Sequence, residues 1–170
     1  DRAFKPAERA QFARLGQVSY AVATRAMAEA PTGERRMVEL RGVDEAYPIS
    51  GAVELTGADG RPLVLETALR PAGDVPAAAV EQTLFDRTGL RLGDRFKIAN
   101  TDFVATAVPV AEPDRLTRGF SLGPRVLIRR AAFKQAGYIG APGFYGETAR
   151  LGLRPGLEPK PAIAALRKAL

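Results

Sequence analysis

Carboxylates carry whatever acid–base chemistry this chain can perform, because its 170 residues include no histidine and no cysteine. That absence excludes Ser-His-Asp and Cys-His catalysis. It also excludes ordinary zinc, haem, blue-copper and iron–sulfur centres, as well as disulfide or thiol redox chemistry. Asp44 and Glu45 are adjacent, and Glu112 and Asp114 flank Pro113. A glycosidase-type pair needs two carboxyls roughly 5–10 Å apart across a cleft, and a calcium or magnesium site needs several acids at ligand spacing. No Asp-x-Asp-x-Asp run occurs, so these four read as surface acids. The serines are Ser19, Ser50 and Ser121; none sits in a Gly-x-Ser-x-Gly elbow or at Ser-x-x-Lys spacing. Gly89 to Asp94 lacks the Gly-Lys-Ser/Thr ending of a phosphate loop and reads as a turn before a strand. No catalytic, metal-binding or cofactor-binding residue is expected.

The basic residues have a definite distribution. Arg115, Arg118, Arg125, Arg129, Arg130 and Lys134 form a run with no acid between them. The tail after Thr148 carries Arg150, Arg154, Lys160, Arg167 and Lys168 against Glu158 alone. With +6 in the first stretch, +4 in the second and +6 overall, the remainder is slightly negative. Localised charge of this kind suits an anionic membrane surface, an acidic partner or phosphates. Aromatics amount to 7% and do not interleave with the arginines, so stacking platforms for single strands are missing. The alternative function is accordingly a basic binding module on a small β-barrel around residues 94–110. The five arginines from Arg115 to Arg130 are the candidate interface.

Hydrophobic spacing supplies the elements that position these residues. A helix is expected over 6–15, where Pro6 stands at the first turn and Phe12 and Leu15 share a face. Alternation from Gln17 predicts a long hairpin, 17–30 with 35–43, about a Pro31–Gly33 turn, although Ala26, Ala28 and Ala30 would also suit a helix. Short strands follow at 52–55 and 77–80, separated by a Pro- and Gly-rich stretch with one helical turn near 65–69. A helix over 81–88 stops at Gly89. Strands at 95–98 and 103–110 flank a four-residue loop, 99–102. A strand at 126–128, a helix at 131–135, a strand at 145–153 and a helix from 158 complete the chain. This order predicts an α+β fold with a mixed, mostly antiparallel sheet and short helices. No apolar run approaches the roughly 20 residues that span a bilayer. The chain begins at Asp1, which reads as a processed or excised piece.

Four motifs, in order, carry a family likeness. Residues 36–51 (RMVELRGVDEAYPISG) run an extended strand into a Tyr47-Pro48-x-x-Gly51 corner, where Pro48 holds Tyr47 extended. Residues 84–98 (LFDRTGLRLGDRFKI) contain Gly89, Gly93 and Asp94. Residues 112–115 (EPDR) and 120–128 (FSLGPRVLI, with Gly123 and Pro124) follow. Together they resemble the extracytoplasmic core domain of MacB/FtsX-type ABC transporter permeases, most of all the YbbP-like subfamily. The likeness implies structural roles for those eight motif residues and a non-catalytic periplasmic domain of a bacterial inner-membrane protein. It implies flanking transmembrane helices, a second permease half or protomer, and an amphiphilic substrate such as a lipid or lipoprotein. It also implies a cytoplasmic ABC ATPase that alone binds ATP, and no nucleic acid. By analogy residues 1–170 form one domain, with lobes 17–56 plus 144–170 and 57–143.

Overall fold

A computed structural model describes residues 3–113, 123–139 and 145–169. Helix α1 (Pro6–Leu15) opens on a proline, whose missing N–H has no intrahelical partner at that position. The Glu8 carboxylate reaches back to accept the Lys5 N–H at 2.6 Å. The chain passes directly into β1 (Gly16–Glu29), turns, and returns as β2 (Arg35–Val43), in antiparallel register from Ala21↔Val43 to Glu29↔Arg35. The alanines at 26 and 28 are strand residues, because each faces the core between exposed or half-buried neighbours.

Strands β3 (Glu54–Thr56) and β4 (Pro62–Leu63) and the single turn α2 (Leu65–Ala68) precede β5 (Ala77–Val80). Helix α3 (Gln82–Thr88) ends at Gly89, which is left-handed. Strands β6 (Arg95–Ile98) and β7 (Thr101–Ala111) follow, then β8 (Arg125–Arg129), α4 (Arg130–Gln135), β9 (Gly146–Leu153) and α5 (Pro159–Ala169). The expected 99–102 loop is shorter: Thr101 and Asp102 already pair with Ile98 and Lys97. Ala99 takes a positive φ of 52°, the conformation a two-residue hairpin turn demands.

The nine strands form one sheet in the order β4-β3-β7-β5-β8-β2-β1-β6, and β6 also pairs with β7. Six strands, β7-β5-β8-β2-β1-β6, therefore close a ring. Strand β9 pairs with β1 outside it, and β3 with β4 extends the far end of β7. All pairings are antiparallel except β2–β8 and β5–β7. The α+β, mostly antiparallel expectation holds.

Two cores lie on opposite faces of the central strands. Ala78, Val80, Val126, Ile128, Phe103 and Ala105 join Val22, Val38, Leu40, Phe96 and Ile98 in the first, closed over by Leu84, Phe85 and Phe133. Ala79, Leu127 and Ala107 join Val43, Tyr47, Leu55 and Leu69 in the second. Strands buried on both faces read as continuous apolar runs, as 77–80 and 126–128 do. Each core mixes residues from 17–56 with residues from 57–143. The division into lobes there coincides with no boundary between cores, because β2 is hydrogen-bonded to β8 across it.

Phe133 is fully buried against Tyr138 and Tyr145, with ring centroids 5.3 and 6.1 Å away. Phe133→Ala should cost about 3–5 kcal/mol, read as a lower urea midpoint; an unchanged midpoint would contradict this packing. Burial also raises the pKa of Tyr138 above its ordinary 10.0. Above that pH the unfolded chain releases the phenolic proton while the native state keeps it, so stability is intact below about pH 10 and falls as pH rises. Tyr138→Phe should flatten that alkaline loss in denaturation curves measured from pH 8 to 11.

Candidate functional site

The strongest concentration of paired charge sits where the first helix meets the last strand. Glu147 is the second residue of β9 and lies opposite Val22 of β1. Its side chain is fully buried and accepts three hydrogen bonds: Phe4 N–H at 2.7 Å, Arg9 Nη2 at 2.6 Å and Arg130 Nη2 at 2.5 Å. Both guanidiniums also stand near the Tyr20 ring, at 4.1 and 5.9 Å from its centroid, where the ring face attracts cations. Phe4 packs edge-on against Phe12 at 5.0 Å. One carboxylate thus joins the segment before α1, α1 itself, α4 and β9.

The other end of α1 is held as well. Arg154 donates its backbone N–H to Leu15 O at 2.9 Å and its Nη2 to Ala13 O at 3.3 Å, satisfying carbonyls that a helix end leaves open. The approach is close enough to require glycine at 16: an added Cβ would lie 1.9 Å from the Gly152 carbonyl oxygen. The terminal segments of the chain are therefore clamped side by side on β1.

The described members of the basic cluster face inward to different degrees. Arg125 was expected at an interface, and the structure places it in the interior, 5% exposed. It bonds Glu112 at 2.9 Å and Glu39 at 3.3 Å, while its backbone N–H bonds Glu81 at 2.6 Å. Burial opposes its charge, but Glu112 and Glu39 outweigh that effect and lift its pKa above the ordinary arginine value. A charge at the head of a two-sided buried strand has to bring its own counter-ions. Arg129 donates to Asp44 O at 3.2 Å, and Arg130 is committed to Glu147. Arg115 and Arg118 lie outside the described residues.

The family motifs fall at corners and turns. Tyr47 is buried under the Arg41 guanidinium at 5.5 Å, and the Tyr47–Pro48 bond is cis. Gly51 and Gly93 take positive φ of 73° and 91°. Asp94 accepts the Arg91 N–H at 2.9 Å, closing the turn before β6. Gly123 lies against the Met37 carbonyl, and Pro124 O accepts the Glu39 N–H at 3.0 Å. Residues 94–110 supply two strands of the closed ring and no separate barrel.

The described acids divide between interior pairs and exposed positions. Glu112 is buried on Arg125, and Asp44 is half-buried, accepting Ser19 Oγ at 2.8 Å and Tyr20 N–H at 2.6 Å; neither is the surface acid its neighbours suggested, because each is paired inside. Asp114 lies outside the described residues. Glu45 lines a cleft of about 440 Å³ with Glu66, Asp74, Arg70 and Arg129; the three acids are exposed and Arg129 is half-buried. Among the described residues no group of three or more acids is placed to hold a metal ion.

Known structures give this arrangement a context. No protein-family model and no curated protein matches the chain. The crystal structure of the periplasmic region of MacB from Actinobacillus actinomycetemcomitans superposes with a TM-score of 0.63 at 11% identity, over 99% of this chain and 73% of that one. The fold is that of the MacB periplasmic region. A domain assigned to a permease protein from Porphyromonas gingivalis is similar over 91% of this chain and 69% of its own, with a TM-score of 0.57 at 16% identity. Glu147, Arg9 and Tyr20 are not among the residues the sequence motifs single out. Nothing near 147 marks it, since its partners are separated from it by 17 residues at the least.

Glu147→Ala should destabilise the domain by about 2–4 kcal/mol, since it strips two partly buried guanidiniums of their counter-charge. Glu147→Gln, which keeps an acceptor, should lose less. Urea denaturation measures both; equal stability of Glu147→Ala and wild type would remove the clamp.

Proposed function

We propose that this chain is a non-catalytic extracytoplasmic domain of a MacB/FtsX-type ABC transporter permease, of the YbbP-like branch to which residues 36–51 are most similar. The observation that carries this reading is the MacB-like fold, matched over 99% of the chain. The domain would stand in the periplasm, carried by flanking transmembrane helices of an inner-membrane protein. Among the described residues no helix is long and apolar enough to cross a membrane. A separate cytoplasmic ABC ATPase would bind and hydrolyse ATP, and its motion would reach this domain through the membrane helices. The Glu147 clamp supports a relay role, because force arriving through either terminal segment is delivered to β1 rather than dissipated in fraying ends. A second permease half or protomer would move against it, expelling or extracting an amphiphilic substrate such as a lipid or lipoprotein. Arg115, Arg118 and Arg129 remain proposed contacts to lipid or partner. Nucleic acid is not a partner in this reading, since Arg125 and Arg130 are committed to carboxylates.

The chain has no cysteine, which makes its location directly testable. In the full-length gene product, cleared of other cysteines, Asp59→Cys in the exposed 57–60 turn should react with a membrane-impermeant maleimide once the outer membrane is permeabilised. The same protein should co-purify with an ABC ATPase. Labelling only after lysis of the inner membrane, or purification without an ATPase, would overturn the proposal.

A further inference from the structure

Methionine is among the residues most often buried, and its thioether commonly fills gaps in a core. This chain has two methionines, and neither core contains one. Met27 and Met37 are instead 46% and 47% exposed, and the β1–β2 register sets them directly opposite each other. Their neighbours Ala26, Ala28 and Val38 point into the first core, so both thioethers stand on the outer face of the hairpin. Opposed residues of an antiparallel pair hold their Cβ atoms roughly 4.5–5.5 Å apart. Each sulfur lies two bonds beyond its Cβ on an unbranched chain, so the pair is able to turn toward a common point.

We propose that Met27 and Met37 bind one soft monovalent metal ion, copper(I) or silver(I), between their sulfurs. The donor chemistry selects that class. Thioethers are soft ligands that favour copper(I), whereas carboxylates, carbonyls and water suit magnesium, calcium and manganese. The carboxylates flanking the pair are engaged elsewhere: Glu29 bonds Arg35 at 2.7 Å, and Glu39 bonds the buried Arg125 at 3.3 Å. Zinc and copper(II) want imidazole, thiolate or hard oxygen donors, and the chain has no histidine or cysteine to supply the first two. Two neutral sulfurs in line satisfy a closed-shell monovalent ion and leave it a single positive charge. Arg25, exposed on the same face, is a like charge; solvent screens it, so it lowers the affinity without blocking the site. Strand register holds the second sulfur at high effective concentration once the first has bound. A thioether carries no proton at neutral pH, so binding releases none, and affinity stays level between about pH 5 and 8, unlike that of a thiolate or imidazole site. The site does not rest on the transport reading.

Silver nitrate in chloride-free buffer is the probe, because silver(I) keeps its oxidation state in water. With the methionine methyls carbon-13 labelled, titration of the 170-residue chain should move both methyl signals together and saturate at a single ion per chain. Met27→Leu and Met37→Leu each delete one donor while nearly conserving volume. Each should raise the silver concentration at half-saturation about tenfold, since the remaining thioether has lost its partner. Circular dichroism checks that both variants keep the fold. Zinc nitrate at the same concentrations should leave both signals in place. Methyl signals that move independently, a half-saturation point unchanged in either leucine variant, an equal response to zinc, or no movement at several equivalents of silver would each overturn the proposal and leave the pair an apolar cross-strand contact.

Discussion

Strand β1 has to satisfy backbone hydrogen bonds along 14 residues, and the rest of the architecture follows from how it does so. At the usual rise it is roughly 46 Å long, more than one short partner strand can cover. One edge is filled by β2 from Ala21 onward. The other is divided between β9, over Gly16–Ala23, and β6, at Ala28 and Glu29. Because β6 also pairs with β7, that last short contact closes six strands into a ring around Phe103 and Ile98. Because β9 comes from the far end of the chain, the same strand brings the two terminal segments together.

Two buried ion networks then tie distant elements together. Arg125 ties β8 to β2 through Glu39 and to the end of β7 through Glu112, and its backbone ties β8 to the start of α3 through Glu81. Glu147 ties α1 and α4 to β9. Removing one member of such a set leaves a buried charge without compensation, which is worse than never having had the pair. These contacts cross-link α1, α4, β2, β7, β8 and β9. That suits a domain whose proposed work is mechanical and whose composition contains neither imidazole nor thiol.

The elements were legible in the chain to an unusual extent for local reasons. Pro6 starts α1, Gly89 stops α3, and alternation from Val18 onward traces the hairpin. The four-residue loop at 99–102 was misjudged because a left-handed Ala99 is not announced by its residue type. The arginine run from Arg115 to Arg130 looked like one interface. Its described members separate because β8 alternates faces, sending Arg125 inward to Glu112 while Arg130 begins a helix that reaches Glu147. Exposure of a charged residue depends on what its neighbours in space can offer it, and those neighbours lie at 39, 112 and 147.

Composition and periodicity by themselves determined the fold class, the absence of histidine and cysteine chemistry, and the corners at Tyr47–Gly51 and Gly93–Asp94. These depend on side-chain type and on residues within a few positions. Only the tertiary structure decided that the sheet closes through β6, that Glu147 binds Phe4, Arg9 and Arg130, and that Met27 meets Met37 on an exposed face. Each of these is a pairing between distant segments, and strand register, which selects such partners, is a property of the whole packed sheet rather than of any stretch of it.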